Sequence, residues 1–296
     1  MNKLLGKYQN GNYFVEIYED GTKVRNSPDS VFEPAFAESY DCKITNKCDG
    51  GCSWCYEGCT IHGEHGDIMN LKFFDTIHPF TEIAINGNDL SHPDLIPFLE
   101  KMKNKNVIVN MTVNQVHFEK NEELISDLVN KKLIHGLGIS LVCGTKTFIQ
   151  KVKKYPNAVI HVINGVFTNY DFKIIKNHGL KLLILGYKQL KRGDEWYSKY
   201  KEEIEKRKNW LKNNLENILE CFEVVSFDNL AIEQLDVKRF LTDEEWEEFY
   251  MGNDGSFTYY IDTVNKTFSK NSTEADEKRY ALLDNVDEMF SVIKNN

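Results

Sequence analysis

No run of apolar residues approaches the ~18 needed to cross a bilayer, so no membrane-spanning helix is expected. Positive charge is in deficit: 36 Lys and Arg stand against 45 Asp and Glu, a formal charge of −9. That balance argues against non-specific binding to RNA or DNA, which is driven by phosphate neutralisation. It leaves a nucleotide-sized ligand open. The N-terminus, MNKLLGKYQNGNYF, has neither a long apolar core nor a small-residue cleavage site, so no signal peptide is expected. Without a secretion signal, seven cysteines in 296 residues read as cytosolic thiols, and the expected location is cytoplasmic. Low-complexity segments are absent, as is any internal repeat beyond the pattern described next.

The composition is that of an ordinary globular chain, 41% hydrophobic and 27% charged, long enough for a sizeable core. Short β-branched apolar runs recur near 39–44, 82–87, 107–113, 136–142, 158–164 and 181–186. Helix-compatible stretches such as Pro93 to Lys103 and Glu122 to Asn130 lie between them. Near-continuous apolar strands alternating with helices predict a parallel sheet buried on both faces. The expected fold is α/β, a partial (β/α)6 TIM-like barrel with an N-terminal hairpin and a C-terminal helical and hairpin extension. A doubly wound open sheet is the alternative. The divisions are 1–38 for the hairpin and linker, 39–190 for the barrel core and 191–296 for the extension packed on it. In that extension, Trp196 to Phe222 carries apolar residues at helical spacing and predicts one long helix with at most one break. Thr242 and Glu245 form a capping-box pattern. Phe257 to Asp262 and Lys266 to Phe268 read as a hairpin, and Tyr280, Leu283, Phe290 and Ile293 as one face of a final helix.

One stretch is unlike the rest. KCDGGCSWCYEGC, residues 47–59, holds four cysteines. Cys48, Cys52 and Cys55 have C-x3-C-x2-C spacing, with Trp54 just before the last. Three thiolates on one short loop can hold three corners of an iron–sulfur cube and leave its fourth iron open. Gly50 and Gly51 let the backbone curl. The loop follows the first predicted barrel strand, which places it at the C-terminal mouth, where barrel active sites sit.

CDGGCSWC resembles the signature of the radical S-adenosylmethionine superfamily, C-x3-C-x-aromatic-C, at every defined position. The resemblance covers roughly residues 39 to 190. It implies one [4Fe–4S] cluster on Cys48, Cys52 and Cys55, with S-adenosylmethionine on the open iron. It further implies reductive cleavage to methionine and a 5′-deoxyadenosyl radical, which abstracts a substrate hydrogen in an oxygen-sensitive enzyme. The implied partners are a peptide or nucleotide-derived small-molecule substrate and an electron donor such as flavodoxin or ferredoxin. Where the family carries a Gly-Gly-Glu-like motif for the methionine amine, this chain has Asn86-Gly87-Asn88-Asp89, a departure that keeps one glycine and moves or replaces the acid. By the same resemblance Asn114, Ser140 and Asn164 end strands three to five near the ligand, and Leu185 with Tyr187 frames adenine. Cys143 and Asp228 are further catalytic candidates. The family's peptide-modifying members often bear extra cysteines after the barrel for auxiliary clusters. Only Cys221 stands there, so a single cluster is expected.

Plainer readings stand beside these. Cys52, Cys55 and Cys59 with His62 or His65 make a possible Cys3His zinc site in a non-catalytic binding module. Cys143 also reads as a buried structural cysteine, Cys42 as core, and Asn86, Asn114 and Asn164 as turn or cap residues. Asp228 also reads as a solvated loop residue.

Overall fold

The computed structural model describes residues 3–29, 31–86, 89–250 and 252–295, with the side chain of Asp89 also left out of the description. The chain begins with a three-stranded antiparallel meander: β1 Leu4–Asn10, β2 Tyr13–Tyr18 and β3 Lys23–Asn26. The main sheet starts at β4 Ser39–Lys43 and β5 Glu82–Ile85. It continues through α1 Leu95–Asn104, β6 Ile108–Asn114, α2 Gln115–Lys120, α3 Glu122–Asn130, β7 Gly136–Ser140, α4 Lys146–Val152, β8 Ala158–Ile163, α5 Asn169–Ile175 and β9 Lys181–Leu185. Then come α6 Arg192–Asn213, α7 Leu215–Glu220, β10 Val224–Phe227, α8 Asn229–Leu235 and α9 Asp243–Phe249. The chain closes with β11 Thr258–Asp262, β12 Thr267–Ser269, β13 Tyr280–Ala281 and α10 Val286–Lys294. No helix among the described residues is long and apolar enough to cross a membrane.

The strands pair in the order β10-β9-β8-β7-β6-β5-β4-β11-β12-β13. All pairings from β10 to β11 are parallel, and the last two are antiparallel. The fold is thus mixed α/β around one large, mainly parallel sheet. The sheet is not closed among the described residues: β10 and β13 are its edges. The six expected strands are all present as β4 to β9, and four more extend them. VVSF, strand-like in sequence, becomes β10 beside β9. The expected C-terminal hairpin does form, but its first strand lies parallel to β4, pairing Tyr259 with Tyr40 and Ile261 with Cys42.

One expectation about the sheet is corrected. Its two faces are not equally buried. Ile83, Ile85, Val109, Met111, Val113, Leu137, Ile139, Ile160, Val162, Leu182 and Ile184 are all at most 2% exposed. They pack with Phe98 of α1, Leu128 of α3, Phe148 of α4 and Ile218 of α7 in one core. The alternate positions point the other way, as strand geometry requires. On β5 to β7 they are small or polar, Ala84, Asn110, Thr112, Asn114, Gly138 and Ser140, while β8 and β9 add His161 among apolar Ile163, Leu183 and Leu185. That face looks onto a cavity, so the strands alternate instead of running apolar throughout.

The predicted long helix is interrupted twice, not at most once. Tyr200 has non-helical angles inside α6, and Asn214 separates α6 from α7. The capping box at Thr242 and Glu245 is complete, with both reciprocal hydrogen bonds. The final helix is shorter than its apolar spacing suggests. Asn285 accepts bonds from the Asp287 and Glu288 N–H groups and starts α10 there, while Tyr280 pairs with Phe268 in the sheet.

Candidate active site

The loop from β4 to β5 carries the cysteines. Its base is stitched together by the Cys48 N–H to the Thr60 carbonyl at 2.8 Å and a bridge between Thr45 and His65. Within it, the Cys55 N–H reaches the Cys52 carbonyl and the Gly58 N–H the Cys55 carbonyl. Gly51 has φ +60°, the left-handed region that favours glycine. Gly50 serves differently: a Cβ there would lie 3.3 Å from the Cys48 sulfur and 3.4 Å from His117.

Cys48, Cys52, Cys55 and Cys59 all line a cavity of about 400 Å3 over the polar face of the sheet. That volume suits a small-molecule ligand. Trp54, Asn86, Asn114, Ser140 and Leu185 share the same wall. Gly87 and Asn88 lie outside the described residues, as does the Asp89 side chain.

Four candidates stand elsewhere. Asn164 is 1% exposed and donates to Gln234, which also brackets the Tyr187 backbone. Tyr187 lines a small neighbouring cleft shared with Trp54 and gives its hydroxyl to the Gly193 carbonyl at 2.8 Å. Asp228 is an N-cap: its Oδ1 accepts from the Ala231 and Gly186 N–H groups. Cys143 is exposed rather than buried, because it sits on the loop after β7, whose backbone is gripped by Gln115.

Two sulfurs of the triad have a nitrogen donor beside them. The Gly50 N–H is 3.3 Å from the Cys48 sulfur, and the Asn114 Nδ2 is 3.6 Å from that of Cys52. The Arg192 guanidinium bonds the Cys59 carbonyl on the same loop, and its charge favours the Cys55 thiolate. Cys55 is pulled well below the usual thiol value, first by the Cys59 side chain and then by the Cys59 N–H and Arg192, against the opposing effect of burial. The same contact drives Cys59 upward. Burial pushes Cys48 and Cys52 up. Among the described residues, no three His, Cys, Asp or Glu side chains group tightly enough to hold a metal ion. Cys52, Cys55 and Cys59 therefore form no such group with His62, which is exposed on the loop surface. Thiolates on separate corners of a cube stand farther apart than those gripping one ion, so three sulfurs around one cavity, two of them beside N–H donors, fit a cluster's needs.

Sequence reasoning missed several cavity residues. His161 lines the floor, with burial holding its imidazole down to about 4. It fits because position 138 is glycine: a Cβ there would lie 2.4 Å from the His161 Cε1 and 2.7 Å from the Thr112 hydroxyl. Asp41 opens onto the cavity, and burial raises its carboxyl, opposed by Lys188 and reinforced by Asp254 and Asp228. Lys188 Nζ lies 4.3 Å over the Tyr56 ring and 3.2 Å from the Ser272 hydroxyl. A polar residue at an alternate position of an apolar strand, as in SYDCK and AVIHVI, was the available signal.

No family model matches the chain, and no curated protein matches it. Among solved structures it is similar to Streptococcus suis SuiB bound to S-adenosylmethionine, with a TM-score of 0.53 and 13% sequence identity. The similarity covers 88% of this chain and 66% of that one, so the chain spans just under two thirds of its neighbour. At that identity the likeness is one of fold.

Proposed function

We propose that the protein is a radical S-adenosylmethionine enzyme with a partial-barrel core. The observation that carries this reading is the placement of Cys48, Cys52 and Cys55, spaced C-x3-C-x2-C, around one ligand-sized cavity at the C-terminal ends of parallel strands. The fold likeness to a structure bound to S-adenosylmethionine supports it. A [4Fe–4S] cluster on these three cysteines would supply the electron for sulfonium cleavage and hence a deoxyadenosyl radical for hydrogen abstraction from a peptide or nucleotide-derived small molecule. The chain's own residues do the rest. Gly50 N–H, Asn114 and Arg192 orient and stabilise the thiolates. Asn86 and Ser140 offer polar groups to the ligand where they line the wall. Leu183, Ile163 and Leu185 add apolar surface to the lining and keep water from the reacting centre. The reducing electron comes from a flavodoxin or ferredoxin-type donor, consistent with a cytoplasmic enzyme.

Anaerobic reconstitution with iron and sulfide tests the reading. A brown protein that releases 5′-deoxyadenosine and methionine from S-adenosylmethionine under reduction supports it. A colourless protein that binds one zinc overturns it.

A further inference from the structure

Arg192 opens α6, and its guanidinium turns onto the cysteine loop. One nitrogen, Nη2, donates to the Cys59 carbonyl at 2.8 Å, and the group's charge favours the Cys55 thiolate. Its Nε is buried without a partner among the described residues. Its charge also acts on Cys48 and Cys52. The approach is built into the backbone. At Gly193 a Cβ would lie 2.5 Å from the Lys188 carbonyl and 3.4 Å from that of Trp54, so only glycine lets α6 start this close to the loop. The Tyr187 hydroxyl then pins the Gly193 carbonyl.

A residue needed only to tie down the loop would be served by the single bond to the Cys59 carbonyl. A permanent cation with an unsatisfied buried N–H, held on the loop that carries the three sulfurs, is more than that task requires. Arginine stays protonated at any working pH, so it moves no proton itself. What it changes is the cost of adding negative charge nearby. Cluster potentials respond to net charge and to hydrogen bonds on the sulfurs.

We propose that Arg192 is the positioning residue that sets the cluster's reduction potential, favouring uptake of one electron from the external flavodoxin- or ferredoxin-type donor. This rests on the assignment of a cluster to Cys48, Cys52 and Cys55. The step adds one electron to the cluster, oxidises the donor by one electron and breaks no bond. The guanidinium compensates the charge gained.

The test uses the full chain, reconstituted anaerobically as wild type, Arg192→Lys and Arg192→Gln. Iron content and visible absorption report the cluster; a mediated redox titration followed by electron paramagnetic resonance reports its potential. We expect equal iron in all three. Arg192→Gln should disfavour reduction about tenfold, roughly 59 mV lower for one electron. Arg192→Lys should stay near wild type. Full iron with a wild-type potential in Arg192→Gln overturns the inference while leaving the cluster assignment standing. A lysine variant as low in potential as the glutamine one overturns the assignment to charge. No cluster in the wild type overturns the cysteine assignment and the inference together. If Arg192→Gln does not fold, Arg192→Met, neutral and similar in stem volume, is judged by the same criterion.

Discussion

At the N-terminal end of the parallel sheet, Glu38 is 1% exposed and meets Lys23 at 3.2 Å and Arg25 at 2.8 Å. At the other end, His161 and Asp41 line the cavity, and Arg192 keeps a bare Nε. The meander accounts for the first condition. Lys23 also bonds Glu82 at the start of β5, and the Glu19 carbonyl accepts from Asn157 just before β8. The meander therefore lies across the N-terminal ends of several strands. Charges there are satisfied by the chain itself, so they serve the fold. At the cavity end, polar side chains such as Asp41, Thr112, Ser140 and His161 face the open space of the cavity.

The largest effect should come from the cavity end. Alanine at Cys48, Cys52 or Cys55 should abolish cluster assembly, while Cys59→Ala should keep about four irons per chain. Iron analysis after reconstitution decides it, and equal loss from Cys59→Ala sinks the three-ligand assignment. Folding should be little changed in all four variants. The opposite pattern is expected at the other end. Glu38→Ala leaves Lys23 and Arg25 facing each other in a buried site and should cost about 3–5 kcal/mol in denaturant unfolding, with normal iron in the folded fraction. Burial alone would raise the Glu38 carboxyl, but Arg25 and Lys23 outweigh it and hold it low. Its stabilisation is thus present above the unfolded carboxylate value of 4.5 and fades as pH falls through the lower folded one. Glu38→Ala should lose that acid-limb slope, and a variant as stable as wild type would show that the meander does not hold the sheet.

The two ends also differed in how legible they were. The cysteine spacing is local, so the sequence displayed it whole, and the strand preceding it fixed its place at the strand ends. The capping box at Thr242 was legible for the same reason. The extra parallel pairing of β11 with β4 joins residues 219 apart in the Lys43–Asp262 ion pair, and no local pattern announces such a contact. The one-sided burial of the sheet was present as alternation in VIVNMTV and AVIHVI, yet it was masked by the overall apolar content. Arg192 was hidden because its partners lie 133 residues upstream, at Cys59. Asn164 and Asp228 had the right strand-end positions, but strand ends need caps as much as ligands need contacts, and those side chains went to Gln234 and α8.

A milder change sharpens the contrast within the cavity floor. Gly138→Ala places a methyl 2.4 Å from His161 and 2.7 Å from Thr112. Overpacking of this kind costs about 1–3 kcal/mol. The His161 ring should swing into the cavity and weaken S-adenosylmethionine binding in calorimetry, with iron content unchanged. Undiminished binding would mean that the ligand does not reach this floor.

The smallest effect concerns His161 alone and uses pH to separate the ends. Burial holds its folded value at about 4, below the 6.5 of an ordinary histidine. Below pH 6.5 the unfolded chain takes up a proton that the folded chain refuses, so unfolding becomes easier as pH falls toward 4 and this contribution levels off beneath that. Above 6.5 both states are neutral and the contribution is constant. One site changes stability by at most about 1.4 kcal/mol per pH unit. His161→Gln should therefore flatten the stability profile between pH 6.5 and 4 relative to wild type, and leave it parallel at neutral pH. Glu38→Ala should change the slope at lower pH, so the two variants read out the two ends separately. Parallel wild-type and His161→Gln profiles through that window would mean that the imidazole meets water or a partner in the folded protein, and that the floor of the cavity is not as dry as its packing indicates.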